Sequence, residues 1–141
     1  MDDAKPKAEG DERLSIDYSG SCDLVGYRSS LPDEGGGACE LNIGPQHLNR
    51  LGLLHGGFVS MLLDNGCGTA VRRDAGDIET GVVTVNMSVN YVAGVSSGRV
   101  IATGRVVGGG KTLKFAESEL RDEAGRLLAT CSATFKILRR S

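Results

Sequence analysis

Two stretches alternate apolar and polar residues so regularly that a half-buried strand is the conformation they suit. In "VVTVNMSVNYV" (82–92), Val83, Val85, Met87, Val89 and Tyr91 alternate with Thr84, Asn86, Ser88 and Asn90. In "RLLATCSATFKIL", Leu127, Ala129, Cys131, Ala133, Phe135 and Ile137 fall on one face. Between them lie "GRVIATGRVVG" and "KTLKFAESELRD", parted by a glycine turn. These four segments predict an antiparallel meander joined by short turns.

Ahead of the meander, one stretch breaks the period-two rule. "FVSMLLDNGCGTAVRR" predicts a helix over 58–73, with Arg72 and Arg73 in the last turn, where positive charge suits the helix dipole. A weak strand is expected around Leu24–Ser29, a turn at "LPDEGGG", and a second strand around Ala38–Ile43. The segment "GPQHLNRLGLLHGG" leading to the helix reads as loop. The economical fold is α+β: a curved antiparallel sheet wrapped around one long central helix. Residues 1–12 read as a disordered tail and 13–141 as a single domain, since 141 residues are too few for two cores.

Composition narrows the function classes. A net charge of −2 gives neither a basic footprint for nucleic acid nor a polybasic membrane signal. The charged, acidic start "MDDAKPKAEGDERL" does not read as a secretory leader, and no apolar run approaches the ~20 residues of a membrane span. Cys22, Cys39, Cys67 and Cys131 show no zinc spacing, and Cys67 and Cys131 sit within apolar segments as small hydrophobes. A cytoplasmic protein is the expectation. "VVGGGKT" resembles a phosphate-binding loop but is out of register, with Arg105 where a glycine is required and a strand where a helix should follow. It reads as a hairpin turn, at whose rim Lys111 could meet a ligand phosphate.

The chemistry concentrates in "LGLLHGGFVSMLLDNG" (51–66). His55-Gly56-Gly57 at a helix start is either a tight turn or an anion site in which exposed N–H groups receive a developing oxyanion. Asp64 is the lone charge between Phe58 and Val71. A solvated helix face would explain it, but a carboxylate on a packed helix is more often satisfied or functional. The two features lie eight residues apart, ~12 Å along a helix. A base and its oxyanion donors must both reach one reacting atom. If Gly56 and Asp64 cooperate, they do so across a two-fold axis, which predicts a homodimer with two equivalent sites.

The run "HLNRLGLLHGGFVSMLLDNGCGTAV", with "VTVNMSVNYV" and "VVGGGKTLKFAESELRDEAGRLLATCSATF", resembles the hotdog-fold acyl-CoA thioesterases, specifically the phenylacetate-pathway (PaaI-like) branch, over residues 38–138. The resemblance implies that the Gly56 N–H polarises the thioester carbonyl and that Asp64 of the other subunit attacks it or activates water. It gives Asn49 and His55 as loop residues orienting thioester or water, and Thr84 as the hydroxyl that holds water or the carboxylate. It places the coenzyme A arm along Val85, Asn86, Met87 and Ser88 and the turn carrying Gly110, Lys111 and Thr112. Leu53, Leu54, Phe58 and Met61 are expected pocket walls, suited to an aryl or medium-chain acyl group. No metal or prosthetic group is implied, because coenzyme A arrives with the substrate. A homodimer or a tetramer of two dimers is expected. Two departures from the family are "YVAG", where a proline is usual, and Asp64, where many members carry glutamate. The alternatives are an acyl-thioester dehydratase or hydratase of the same fold, a non-catalytic acyl-CoA sensor or carrier, and a purely structural subunit.

Overall fold

The computed structural model describes residues 16–138; the expected 1–12 tail lies outside them. The elements are α1 (Gly20–Val25), β1 (Arg28–Ser30), β2 (Gly37–Asn42), a 3-10 turn at Pro45–His47, α2 (Gly56–Asp74), β3 (Gly81–Tyr91), β4 (Arg99–Gly109), β5 (Leu113–Asp122) and β6 (Leu127–Leu138). One six-stranded antiparallel sheet has the order β1-β2-β4-β5-β6-β3, and α2 packs against its inner face.

The helix is anchored on the side facing β2 and β4 by close backbone approach. A Cβ on Gly104 would run into the Gly66 carbonyl and stand 2.7 Å from the Cys67 nitrogen, and one on Gly37 would stand 2.6 Å from the Ala70 nitrogen. Part of the high glycine content therefore lets strand and helix backbones touch. Val59, Leu62, Leu63, Cys67, Ala70 and Val71 fill the core from the helix, and Val100, Ala102, Leu120, Ala129 and Phe135 meet them from the sheet. At the helix end, Arg73 Nη1 donates to the carbonyls of Pro32 (2.6 Å) and Gly36 (3.1 Å), tying α2 to the turn before β2.

Four expectations need correction. The weak strand over Leu24–Ser29 begins only at Arg28, because a capped helical turn occupies Gly20–Val25. Ser19 Oγ accepts from the Cys22 N–H, Gly26 closes the turn in the left-handed region at φ 90°, and Cys22 and Val25 point into the core. This is serine-start, glycine-stop punctuation on an element too short to show a period. The loop before α2 contains the 3-10 turn, closed by His47, whose Nδ1 accepts from the Gly44 N–H (2.9 Å). Its Nε2 then carries the proton and donates to the Val25 carbonyl (2.8 Å).

The four-strand meander is a three-strand one. β3 pairs with β6, and β4 pairs with β2 and β5, so the 92–98 connection crosses the sheet instead of making a hairpin. It is pinned on the way, with Val92 and Ala93 N–H donating to the Leu128 carbonyl and Leu54 N–H to the Val95 carbonyl. Finally, the even alternation through β3 is interrupted. Its register against β6 slips between Thr84 and Asn86, leaving Val85 as the extra residue of a bulge. Thr84 therefore pairs with the inward Phe135, and Met87 with the inward Ala133. Val83 and Val85, expected on Met87's face, stand 44% and 57% exposed.

Candidate active site

β3 is one of the two edges of the sheet and runs along one stripe of α2. Gly56, Ser60, Asp64 and Gly68 recur every four residues, so they share a helix face. Tyr91 lies over the first two. Its hydroxyl is 2.7 Å from Ser60 Oγ and donates to the Gly56 carbonyl at 3.3 Å. Thr84 meets the third, its Oγ1 donating to Asp64 Oδ1 at 2.7 Å. The bulge at Val85 gives Thr84 and Tyr91 the same facing despite their odd spacing.

Asp64 is half-buried, and burial raises its carboxyl above the ordinary carboxylate value. The Thr84 hydrogen bond opposes that shift by favouring the charged form. The result is a carboxylate with one oxygen held, on a residue that lines a cleft. That cleft, of about 510 Å3, is bounded by Asp64, Asn65, Gly68 and Arg72 on the helix and by Val82, Thr84 and Phe135 on the sheet.

At the other end of the stripe, His55 caps α2, its Nδ1 accepting from the Gly57 N–H at 2.8 Å. The Phe58 and Val59 N–H groups return to the His55 carbonyl. The Gly56 N–H meets no acceptor among the described residues, so it remains available at the positive end of the helix. Asn49 is spent partly on its own loop, with Oδ1 accepting from Leu51 (2.9 Å) and Leu53 (3.0 Å) N–H groups. Asn49, Leu53, Leu54, Gly56, Val59 and Tyr91 bound a second, smaller cleft of about 280 Å3.

The expected catalytic residues thus form two clusters within one chain: Asn49, His55 and Gly56 at the helix start, and Asp64 with Thr84 two turns on. Leu53 and Leu54 wall the smaller cleft at the helix start. Phe58 instead packs edge-on between His47 and His55, at ring separations of 5.3 and 6.2 Å, and Met61 packs against the core. Along β3, Met87 faces inward with the core, whereas Asn86 and Ser88 line a shallow groove beside Phe115 and Thr134 on the outer sheet surface. Val85 stands in the bulge. Gly110, Lys111 and Thr112 form the β4–β5 hairpin tip. Sequence reasoning missed Tyr91 as a site residue, although its place in the Met87–Val89–Tyr91 row put it on the inner face. Among the described residues, no group of three or more His, Cys, Asp or Glu side chains is placed to hold a metal ion, and no helix is long and apolar enough to cross a membrane.

Known proteins resemble this chain in sequence and in fold. The chain is 34% identical over 95 residues to acyl-coenzyme A thioesterase 13 of Mus musculus, and the human protein of that name matches equally. Each match covers 64% of this chain and 65% of the relative's length. Among solved structures, BH2602 of Bacillus halodurans, determined with coenzyme A, superimposes with a TM-score of 0.79 and 27% identity over 87% of this chain and 81% of that one. PA5202 of Pseudomonas aeruginosa superimposes with a TM-score of 0.78 and 29% identity over 92% of this chain and all of that one (100%). The sheet wrapped on one helix is the hotdog fold that the sequence led us to expect. The thioesterase superfamily matches residues 51–129, from the turn before α2 to the start of β6, and the chain belongs to that superfamily.

Proposed function

We propose that the protein is a homodimeric acyl-CoA thioesterase that releases a free acid and coenzyme A, with each site shared between two protomers. The observation that carries this reading is the split of the machinery along α2. An unengaged Gly56 N–H and a half-buried Asp64 lie on one helix face but in different clefts, ~12 Å apart by helical rise. Beside them runs β3, an eleven-residue edge strand with one hydrogen-bonding side unpaired and Val83, Val85 and Tyr91 exposed. Such an edge is a template for pairing with a second copy. Antiparallel pairing about a two-fold axis sets the helix start of one protomer beside the middle of the other's helix. The relatives named as acyl-coenzyme A thioesterases and the coenzyme A-bound neighbour support the substrate class.

In this reading the thioester carbonyl oxygen accepts from the Gly56 N–H. The Asp64 carboxylate of the other protomer takes a proton from water, and the resulting hydroxide attacks the carbonyl carbon. The oxyanion collapses, the C–S bond breaks, and the proton on Asp64 passes to the departing coenzyme A thiolate. Thr84 favours the ionised form of Asp64 and holds one of its oxygens, leaving the other for the water. Loss of one comparable oxyanion donor costs about 100- to 1000-fold in other enzymes. The coenzyme A arm runs over Asn86, Ser88 and the Gly110–Thr112 tip, where Lys111 supplies positive charge at the rim.

The test is release of free thiol from acetyl-, hexanoyl-, phenylacetyl- and palmitoyl-CoA by wild type and Asp64→Asn. Turnover that collapses in the variant, with the fold retained, is expected. Tight acyl-CoA binding without turnover would replace this reading with a sensor.

A further inference from the structure

Glycine is the costliest residue inside a helix after proline, so each helical glycine calls for a reason. α2 has two in its middle, with different surroundings. Gly66 faces β4, where the helix and strand backbones touch through Gly104. Gly68 is on the opposite side. A Cβ there would meet nothing nearer than the Phe135 ring at 3.4 Å and Val82 at 4.0 Å, which is ordinary van der Waals contact. The fold has room for alanine at 68, and alanine would suit the helix better. Contact within the chain therefore does not account for the glycine.

What Gly68 does border is the Asp64 cleft. It lies one turn beyond Asp64 on the same helix face, and Phe135 and Val82 lie beneath it. One turn further, Arg72 closes the cleft. Its Nε donates to the Ile78 carbonyl at 2.7 Å and its Nη2 to that of Ile16 at 3.5 Å, so the guanidinium is tied to backbone on two sides. From Asp64 to Arg72 is eight residues, about 12 Å of helix.

We infer that Gly68 is a specificity-determining residue: it keeps open a channel along α2 into which the acyl group extends past Asp64, over the Phe135 ring, as far as Arg72. This rests on the thioesterase reading and sharpens its substrate class. A medium straight chain such as octanoyl takes up most of that length, and the shorter phenylacetyl group reaches Gly68 without filling the channel. Acetyl stops short of Gly68. Palmitoyl overruns Arg72.

The experiment is a substrate series of acetyl-, hexanoyl-, octanoyl-, phenylacetyl- and palmitoyl-CoA, hydrolysed by wild type, Gly68→Ala and Gly68→Leu, with melting temperatures recorded for each. Wild type should favour the middle of the series. Gly68→Ala should melt a few degrees higher than wild type, because the helix gains. Its kcat/KM for octanoyl- and phenylacetyl-CoA should nonetheless fall by about tenfold or more while acetyl-CoA stays within about twofold, since one methyl group in an acyl pocket discriminates on that scale. Gly68→Leu should abolish the longer substrates and spare acetyl-CoA. A Gly68→Ala profile parallel to that of wild type would overturn the inference, whether all rates stay or all fall together. A wild type inert on every thioester would instead overturn the thioesterase reading itself.

Discussion

Replacing Thr84 by valine removes one hydroxyl and tests what the hydrogen bond to Asp64 does. The bond is 2.7 Å long and ends on a carboxylate oxygen, so it favours the ionised form. Hydrogen bonds to charged groups contribute about 1.5–3 kcal/mol, and the low end applies here because Asp64 is partly open to solvent. Its loss should therefore raise the Asp64 pKa. The sign follows directly: burial already lifts this carboxyl, Thr84 holds it down, and without Thr84 it rises further. A base works only when deprotonated, so the acid limb of kcat/KM against pH should move to higher pH. Free-thiol release between pH 4 and 9 (about that range, set by the carboxylate reference values) measures it. Thr84→Ser, which keeps the donor, should restore the wild-type limb. A limb that stays put in Thr84→Val, or moves to lower pH, would refute the assignment of Asp64 as the base held by Thr84.

Two further outcomes follow from the packing and the edge strand. Gly104→Ala drives a methyl group into the backbone of α2 at Gly66 and Cys67, where nothing flexible gives way. It should cost about 3 kcal/mol or more and lower the melting temperature by something like ten degrees in a thermal scan. An unchanged melting point would show that helix and sheet are not in contact there. Val85→Lys puts a charge in the bulge of the exposed edge strand, a device that blocks edge pairing. The variant should run as a folded monomer by light scattering and lose thioesterase activity. A fully active monomer would contradict a shared site.

The order of elements was legible because it depends on local chemistry. Alternation marked β3 and β6, a glycine turn marked β4 and β5 between them, Arg72 and Arg73 marked the end of α2, and Asp64 stood out as a lone charge on a packed helix. Pairing was not legible, because the inward rows of β3 and β4 fit either neighbour and only the pinned 92–98 connection decides between them. The bulge was hidden for a related reason. Val85 continues the apolar alternation, so nothing in the sequence shows that the strand slips there and brings Thr84 to Asp64. α1 offered its signals, Ser19 and Gly26, but six residues are too few for a period to show. Tyr91 was visible on the inner row; its hydrogen bonds to Gly56 and Ser60 depend on the crossing of strand and helix, which is a tertiary fact.

The central claim is that Gly56 of one protomer works with Asp64 of the other, and complementation tests it most directly. Gly56→Pro removes the N–H at a helix position where proline is tolerated, and Asp64→Asn removes the base. Each variant alone should be inactive. Refolded together in equal amounts, half the dimers are mixed, and each mixed dimer holds one site with both groups intact and one with neither. The mixture should therefore recover about a quarter of wild-type thiol release, the share a two-fold dimer with shared sites dictates. If mixed dimers form, as native mass spectrometry would show, and activity does not return, the two groups do not meet across the interface and the account fails.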